Sequence, residues 1–97
     1  MEQTWEYECD LTFNGQKITK FTLTDHWRIN HPEVPQELIV KLVRKLSGKE
    51  VELTDYVGSR KVFRWRTSYQ GQSYRLVFWF KDGVEDHLWI RNCYPVD

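Results

Sequence analysis

Long apolar runs are the first feature that this 97-residue sequence lacks. No stretch approaches the roughly 18 consecutive apolar residues that a membrane-spanning helix needs. The N-terminal segment MEQTWEYECD is acidic and has no apolar run, which argues against a secretory signal of the usual kind. We therefore expect a soluble, cytoplasmic protein that has no membrane partner.

Cysteine is also scarce, with only Cys9 and Cys93 in the chain. They lie far apart in the sequence, and neither has a second cysteine nearby that could form a metal knuckle. A disulfide between them is one alternative, but two free, buried thiols in a reducing compartment are the expectation. Cys93 shares its predicted strand with His87 and, by alternation, the same face of that strand. No neighbouring residue in the sequence activates it as a nucleophile.

Motifs for metal, nucleotide or serine chemistry are missing as well. His26, His31 and His87 could combine with Asp25 or Asp86, but their spacing is not that of a metal site. The chain contains no P-loop, no dinucleotide-binding fingerprint and no serine nucleophile elbow. No cofactor and no metal are expected.

Acidic residues are absent from one particular segment, Arg60–Lys81. The whole chain carries 14 basic and 14 acidic residues, so its formal net charge is zero. This segment nevertheless holds four arginines, two lysines and seven aromatic rings. Charges are screened over about 10 Å, so a local positive potential persists on a neutral protein.

Turn signals divide the chain, whose length suits a single domain over residues 1–97. Asn14-Gly15 predicts a hairpin between strands Trp5–Phe13 and Gln16–Leu23, because a type I′ turn needs positive φ at both central positions. Gln70-Gly71 and Asp82-Gly83 then separate three further alternating runs. These runs predict an antiparallel meander of the strands Arg60–Thr67, Ser73–Lys81 and Asp86–Cys93.

One main helix is predicted over Pro35–Ser47. Proline suits the first helical position, and Gly48 suits the position just past the end. Apolar residues recur at three- and four-residue spacing and form one stripe: Leu38, Ile39, Leu42, Val43 and Leu46. The segment Thr24–Pro32 is interpreted as a short turn capped by Thr24 or Asp25, and Gly48–Ser59 as a loop or irregular strand.

The fold class predicted from these elements is α+β, in the order ββ-α-βββ. An antiparallel sheet, made of the N-terminal hairpin and the C-terminal meander, would pack in two layers on the one main helix. Alternation along the strands sorts their side chains into two faces. The inner face, beneath the helix, is predicted to hold Phe63, Trp65, Leu76, Phe78, Phe80, Leu88 and Ile90. The outer face is predicted to hold Arg64, Arg66, Arg75, Trp79, Lys81, His87, Trp89 and Arg91.

This outer face has two interpretations. Guanidinium groups bind phosphates in a bidentate manner, and flat aromatic rings stack on unpaired bases, so the mixture favours single-stranded nucleic-acid binding. The alternative is a solvated face, because cationic residues on an exposed sheet also provide solubility and guard against aggregation.

A family resemblance supports the first interpretation. The segments that carry it are FTLTDHW, PQELIVKLVRKLSG, GSRKVFRW, YRLVFWF and HLWIRNCYP. In this order they resemble the RelE/ParE superfamily of small bacterial toxins, and more closely its uncharacterised bacterial relatives. The resemblance covers roughly Ile18 to Pro95 and leaves the first strand outside.

The resemblance implies metal-independent cleavage of RNA, or binding to an antitoxin-like protein partner. The phosphate-binding residues would be Arg64, Arg66, Arg75 and Arg91, and the acid or base would be His87, Tyr94 or His26. ParE-like members lack nuclease activity, so the fold does not determine the chemistry. The alternative function is a non-catalytic protein-interaction module in which Trp79 and Trp89 contact a protein partner.

Overall fold

Within residues 3–97, six β-strands form one sheet that makes up most of the protein. The structure, a computed structural model, describes residues 3–97. The strands are β1 (Thr4–Phe13), β2 (Gln16–Thr24), β3 (Asp55–Val57), β4 (Arg60–Tyr69), β5 (Gln72–Phe80) and β6 (His87–Val96). Two short helices, α1 (His26–Asn30) and α2 (Gln36–Arg44), lie between β2 and β3, and a 3₁₀ turn (Lys81–Gly83) follows β5.

The sheet is mixed, and the predicted fold class is therefore wrong. Its strand order is β1-β2-β6-β5-β4-β3. Strands β2 and β6 pair in parallel, with Phe21 opposite Leu88 and Leu23 opposite Ile90, while the other neighbouring strands pair antiparallel. The two-layer antiparallel sheet on one main helix, in the order ββ-α-βββ, is replaced by a mostly-sheet fold with two short helices.

The parallel pairing was not predicted because sequence signals for strand pairing act only between residues that are close in the chain. A tight turn marks an antiparallel hairpin locally, whereas two parallel strands need a long connection and leave no local mark. Here that connection runs from the end of β2 to the start of β6. The four residues of the stretch FTLT in β2 are all buried, as in a parallel strand covered on both faces, but its two threonines interrupt the continuous apolar run that would mark such a strand in the sequence.

Two of the three predicted turns are tight hairpins. Asn14 and Gly15 have φ angles of 50° and 77°, as a type I′ turn requires, and Gln70 and Gly71 have φ angles of 50° and 83°. The third turn, at Asp82-Gly83, forms part of the 3₁₀ turn and a longer connection to β6. The short β3, which sequence analysis treated as loop or irregular strand, pairs with β4 across Gly58.

The main helix is shorter than predicted, and a second, short helix was not predicted. Pro35 is the N-cap of α2, and the helix ends at Arg44 instead of Ser47. The segment predicted as a short turn contains the five-residue α1. Its Trp27 is buried, and the ring N–H donates to the carbonyl oxygen of Val34 at 2.9 Å. This hydrogen bond satisfies the one polar group of the indole.

The core joins the apolar stripe of α2 to the inner face of the sheet. Of the predicted inner-face residues, Phe63, Leu76, Phe78, Leu88 and Ile90 are buried, and Trp65 and Phe80 are half-buried at the margin. A bulge shifts the register between β5 and β6 so that Arg91 has no partner across the ladder. The bulge reverses the alternation after Ile90. As a result, Cys93 faces the core. The sequence instead predicts that it shares the outer face with His87.

Candidate nucleic-acid interface

The outer face of β4, β5 and β6 brings most of the predicted binding residues into cross-strand rows. Arg66 lies opposite Arg75, and Arg75 lies opposite Tyr94. In another row Trp79 lies opposite Trp89. These rows run over three neighbouring strands in the middle of the sheet. Side chains directly opposite each other are about 4.5–5.5 Å apart at Cβ, so each row is a set of neighbours.

Two cation–aromatic pairs lie at one end of this surface, where β4 begins and β5 ends. The guanidinium carbon of Arg60 lies 4.4 Å from the ring centroid of Trp79, and the Nζ atom of Lys81 lies 5.3 Å from that of Trp89. Lys81 belongs to the 3₁₀ turn, not to a strand as predicted. The four side chains, with Asp82 and Arg91, line a cleft of about 350 Å³. We call the surface formed by Arg60, Arg64, Arg66, Arg75, Trp79, Lys81, Trp89 and Arg91 the basic face.

Arg60 is a member that sequence analysis missed. It begins β4, two residues before Val62 and four before Arg64. Strict alternation therefore places it on the same face as Arg64, and this signal was available in the sequence. Val62 lies between them and is buried although it is on the outer face. The side chains of Arg60 and Arg64 therefore flank a buried apolar side chain.

The arginines of the basic face differ in what already holds them. Arg66 donates to the main-chain carbonyl oxygen of Asp97, and Arg64 lies 3.9 Å from the carboxylate of Asp55. Within residues 3–97 no ion pair involves Arg75. An exposed pair at the length of Arg64–Asp55 contributes little to stability. Arg64 and Arg75 can therefore reach a ligand without breaking a strong contact.

One acidic side chain, Asp82, lines the cleft beside the cation–aromatic pairs, and the other acidic side chains near the outer face lie at its margins. Glu8 of β1 is opposite Lys20, Glu6 is opposite Thr22, and Asp55 lies on β3 at the far side of the sheet. Strands β4, β5 and β6 contain no acidic residue at all. This distribution explains how a chain of zero net charge carries a positive surface.

His87 does not have the surroundings of an exposed catalyst. Its side chain is buried, and Nε2 lies 2.7 Å from the hydroxyl oxygen of Thr22 on β2. Burial lowers the pKa of His87, and the nearby charge of Lys81 lowers it further. The imidazole is therefore neutral at pH 7. It connects β6 to β2 instead of facing the cleft.

We expect His87 to make folding stability depend on pH. In the unfolded chain its pKa is about 6.5. Since the folded pKa is lower, the unfolded chain binds the proton first as the pH falls below about 6.5. The stabilisation should be complete above that pH and decrease below it, by at most about 1.4 kcal/mol per pH unit. Urea unfolding of the parent and of His87→Gln at pH 7.5, 6.5 and 5.5 tests this. A parent-to-variant difference that is the same at all three pH values contradicts it.

Tyr94 and His26 lie elsewhere. Tyr94 is half-buried on the outer face and stacks on His31, with ring centroids 5.3 Å apart and planes at 25°. It is seven positions after His87 on β6, roughly 20 Å at the rise of an extended strand. His26 is in α1, where the side-chain amide nitrogen of Asn30 lies 3.2 Å from its Nε2. The three candidate acid–base residues therefore do not form one constellation.

Both cysteines are free thiols. Cys93 is fully buried, and burial raises its pKa to about 12. Cys9 is half-buried, and burial also raises its pKa. Neither thiol has the lowered pKa of a nucleophile. Among residues 3–97 there is no group of three or more histidine, cysteine or acidic residues that could hold a metal ion.

A larger cavity of about 900 Å³ opens at one end of the sheet. Phe63 and Phe80 supply its aromatic surface, and it shares Arg60 and Asp82 with the cleft on the outer face. No local pattern in the sequence indicates this cavity, because the turns that surround it are far apart in the chain.

Comparison of the chain with protein-family models, with curated proteins and with solved structures finds no match. Within residues 3–97, none of the helices is long and apolar enough to cross a membrane.

Proposed function

We propose that this protein is a small domain that binds single-stranded RNA on its basic face. The observation that carries the proposal is the pair of cation–aromatic contacts, Arg60 with Trp79 at 4.4 Å and Lys81 with Trp89 at 5.3 Å, on one sheet surface. Arg60, Trp79 and Trp89 lie on β4, β5 and β6, which contain no acidic residue. Lys81 directly follows β5.

The chemistry of this surface suits unpaired bases. Bases stack on aromatic rings and on guanidinium planes, and such stacking is worth about 1–3 kcal/mol per base. The bases of a duplex are already stacked on each other, so they cannot use these groups. The neighbouring guanidinium groups of Arg64 and Arg75 supply charge for the phosphates. Single strands are therefore the expected ligand.

The ribonuclease activity and the antitoxin partner implied by the family resemblance stay predictions. On this surface a metal-independent cleavage would use Tyr94 for proton transfer, because His87 is buried and hydrogen-bonded. Arg75 lies directly opposite Tyr94, and Arg66 is next in the same row. These cations would stabilise the charge that develops on the phosphate.

The proposal is tested by titrating the parent protein into a fluorescent 12-nucleotide single-stranded RNA, and into the same sequence as a duplex, at 50 and 200 mM salt. We expect the single strand to bind more tightly. Its log affinity should fall with log salt concentration with a slope of about −3. This is the slope for about four neutralised phosphates, since each contributes about −0.7 for single strands. A chelator in the buffer should leave binding unchanged.

The absence of RNA binding at 50 mM salt would contradict the proposal. The protein-interaction alternative would then take its place, with the exposed parts of Trp79 and Trp89 as contact residues. A protein partner held by aromatic contacts would show little dependence on salt, whereas phosphate binding depends on it strongly.

A further inference from the structure

Strand β1 is an edge of the sheet whose outward side is partly unpaired. Within residues 3–97, its only neighbouring strand in the sheet is β2. The register places Thr4 opposite Thr24, so Gln3 is opposite Asp25, and the N–H of Asp25 donates to the carbonyl oxygen of Gln3 at 3.1 Å. In an antiparallel ladder such hydrogen-bonded pairs recur at every second residue. Trp5 and Tyr7 therefore bond to β2.

The residues that alternate with Trp5 and Tyr7 along β1 direct their main-chain groups away from β2. The outward N–H and C=O groups belong to Thr4, Glu6 and Glu8. Farther along β1, the same edge is already covered by the segment after α2. The N–H of Gly48 donates to the carbonyl oxygen of Thr12 at 2.8 Å, and the N–H of Thr12 donates to the Ser47 hydroxyl at 3.4 Å. Within residues 3–97 no main-chain hydrogen bond is made to the outward side of Thr4–Glu8. We call Thr4–Glu8 the open edge.

The side chains of the open edge have two different characters. Glu6 and Glu8 are exposed, and both carboxylates lie on the outer face. Trp5 and Tyr7 alternate with them on the core side, where they are half-buried against the core. A strand added to this edge would therefore meet carboxylates on one face and aromatic surface on the other.

We propose that the open edge binds an extended segment of a partner protein in which basic and apolar residues alternate. Opposite charges directly across a ladder stabilise pairing by about 0.2–1 kcal/mol, and like charges destabilise it. A second copy of this chain would place Glu6 and Glu8 against the same carboxylates, so self-pairing is disfavoured. The added strand would extend the sheet by main-chain hydrogen bonds, and its alternating side chains would provide specificity.

The other edge of the sheet does not offer a comparable template. Strand β3 has only three residues, all of them exposed. Very short edge strands are one way in which proteins avoid strand addition. The proposal concerns a surface separate from the basic face and does not depend on RNA binding.

The probe for this proposal is an acetylated and amidated peptide of alternating lysine and valine, nine residues long. We expect it to bind the parent protein and to slow amide hydrogen exchange at Thr4, Glu6 and Glu8, as measured by NMR. Trp5 and Tyr7 should change little, because their N–H groups already bond to β2. The double variant Glu6→Lys with Glu8→Lys should bind about tenfold more weakly or worse. The matched control, Glu37→Lys with Glu50→Lys, makes the same charge change at two other exposed positions and should bind as the parent does.

The contribution of the backbone is tested separately from that of charge. Glu6→Pro removes one outward N–H without removing a hydrogen bond to β2, and edge strands tolerate proline at such positions. Compared with Glu6→Gln, which loses the same carboxylate but keeps the main-chain N–H, Glu6→Pro should weaken peptide binding about tenfold. A peptide N-methylated at alternate residues lacks the main-chain N–H groups that would donate to β1. It therefore tests the same hydrogen bonds without any change in the protein. Equal binding of the methylated peptide, no loss in the double variant, or no binding to the parent would each overturn the proposal, and the carboxylates would then be only a guard against aggregation.

Discussion

Leu42→Ala should lower the free energy of unfolding by about 2–5 kcal/mol, the range for a truncated core leucine. Leu42 lies in the middle of α2 and has no exposed surface. It belongs to the same buried cluster as Phe78 and Ile90 of the sheet. Removing its branched end leaves a cavity that rigid neighbours from both helix and sheet can fill only in part. Urea unfolding followed by tryptophan fluorescence measures the change.

Glu37→Gln is the matched control for Leu42→Ala. Glu37 is in the first turn of the same helix but is exposed, so the free energy of unfolding should change by less than about 1 kcal/mol. A loss below about 0.5 kcal/mol for Leu42→Ala would contradict the packing of α2 described above. A comparable loss for the control would show that the helix itself, and not its packing, responds to substitution.

Replacing Arg64, Arg75 and Lys81 together with glutamine should weaken binding of single-stranded RNA on the order of 10³-fold at 50 mM salt. Each residue would supply one charge-assisted contact to a phosphate, worth about 1.5–3 kcal/mol, or roughly tenfold or more in affinity. The salt dependence should also become shallower by about two units, since each single-strand contact contributes about 0.7. The same fluorescence titration measures both quantities.

The control for this variant removes three cations from the opposite side of the molecule. Lys41, Arg44 and Lys45 lie on α2 or directly after it, and all three are exposed. Their glutamine variant has the same net charge as the test variant but keeps the basic face. It should retain RNA affinity to within about threefold, because net charge acts weakly beyond the screening length. Equal losses in the two variants would mean that RNA senses only net charge, which contradicts a specific basic face.

Arg66 is left out of the test variant because it also has a structural contact. Its guanidinium group donates to the carbonyl oxygen of Asp97 and lies 3.5 Å from the Ser73 hydroxyl. Replacing Arg66 would also release Asp97, so a loss of affinity would have two causes. Arg75, in the same cross-strand row, has no ion pair within residues 3–97 and reports on the surface alone.

The sequence by itself determined the local features of this protein. The hairpin at Asn14-Gly15 follows from the φ angles that those two residues accept. The stripe of α2 and the alternation of β4 and β5 follow from repeats of 3.6 and 2 residues. These signals depend only on residues close in the chain, so they predicted both the inner face and most of the basic face.

Only the tertiary structure decided the remainder. The parallel pairing of β2 with β6 joins residues more than 60 positions apart, as the contact of Thr22 with His87 shows. That pairing buries His87 and removes it from the set of exposed acid–base candidates. The bulge at Arg91 turns Cys93 inward, and a bulge arises from the fit between two strands, not from either strand alone. Such features depend on which segments meet in the folded chain, and no local pattern encodes this choice.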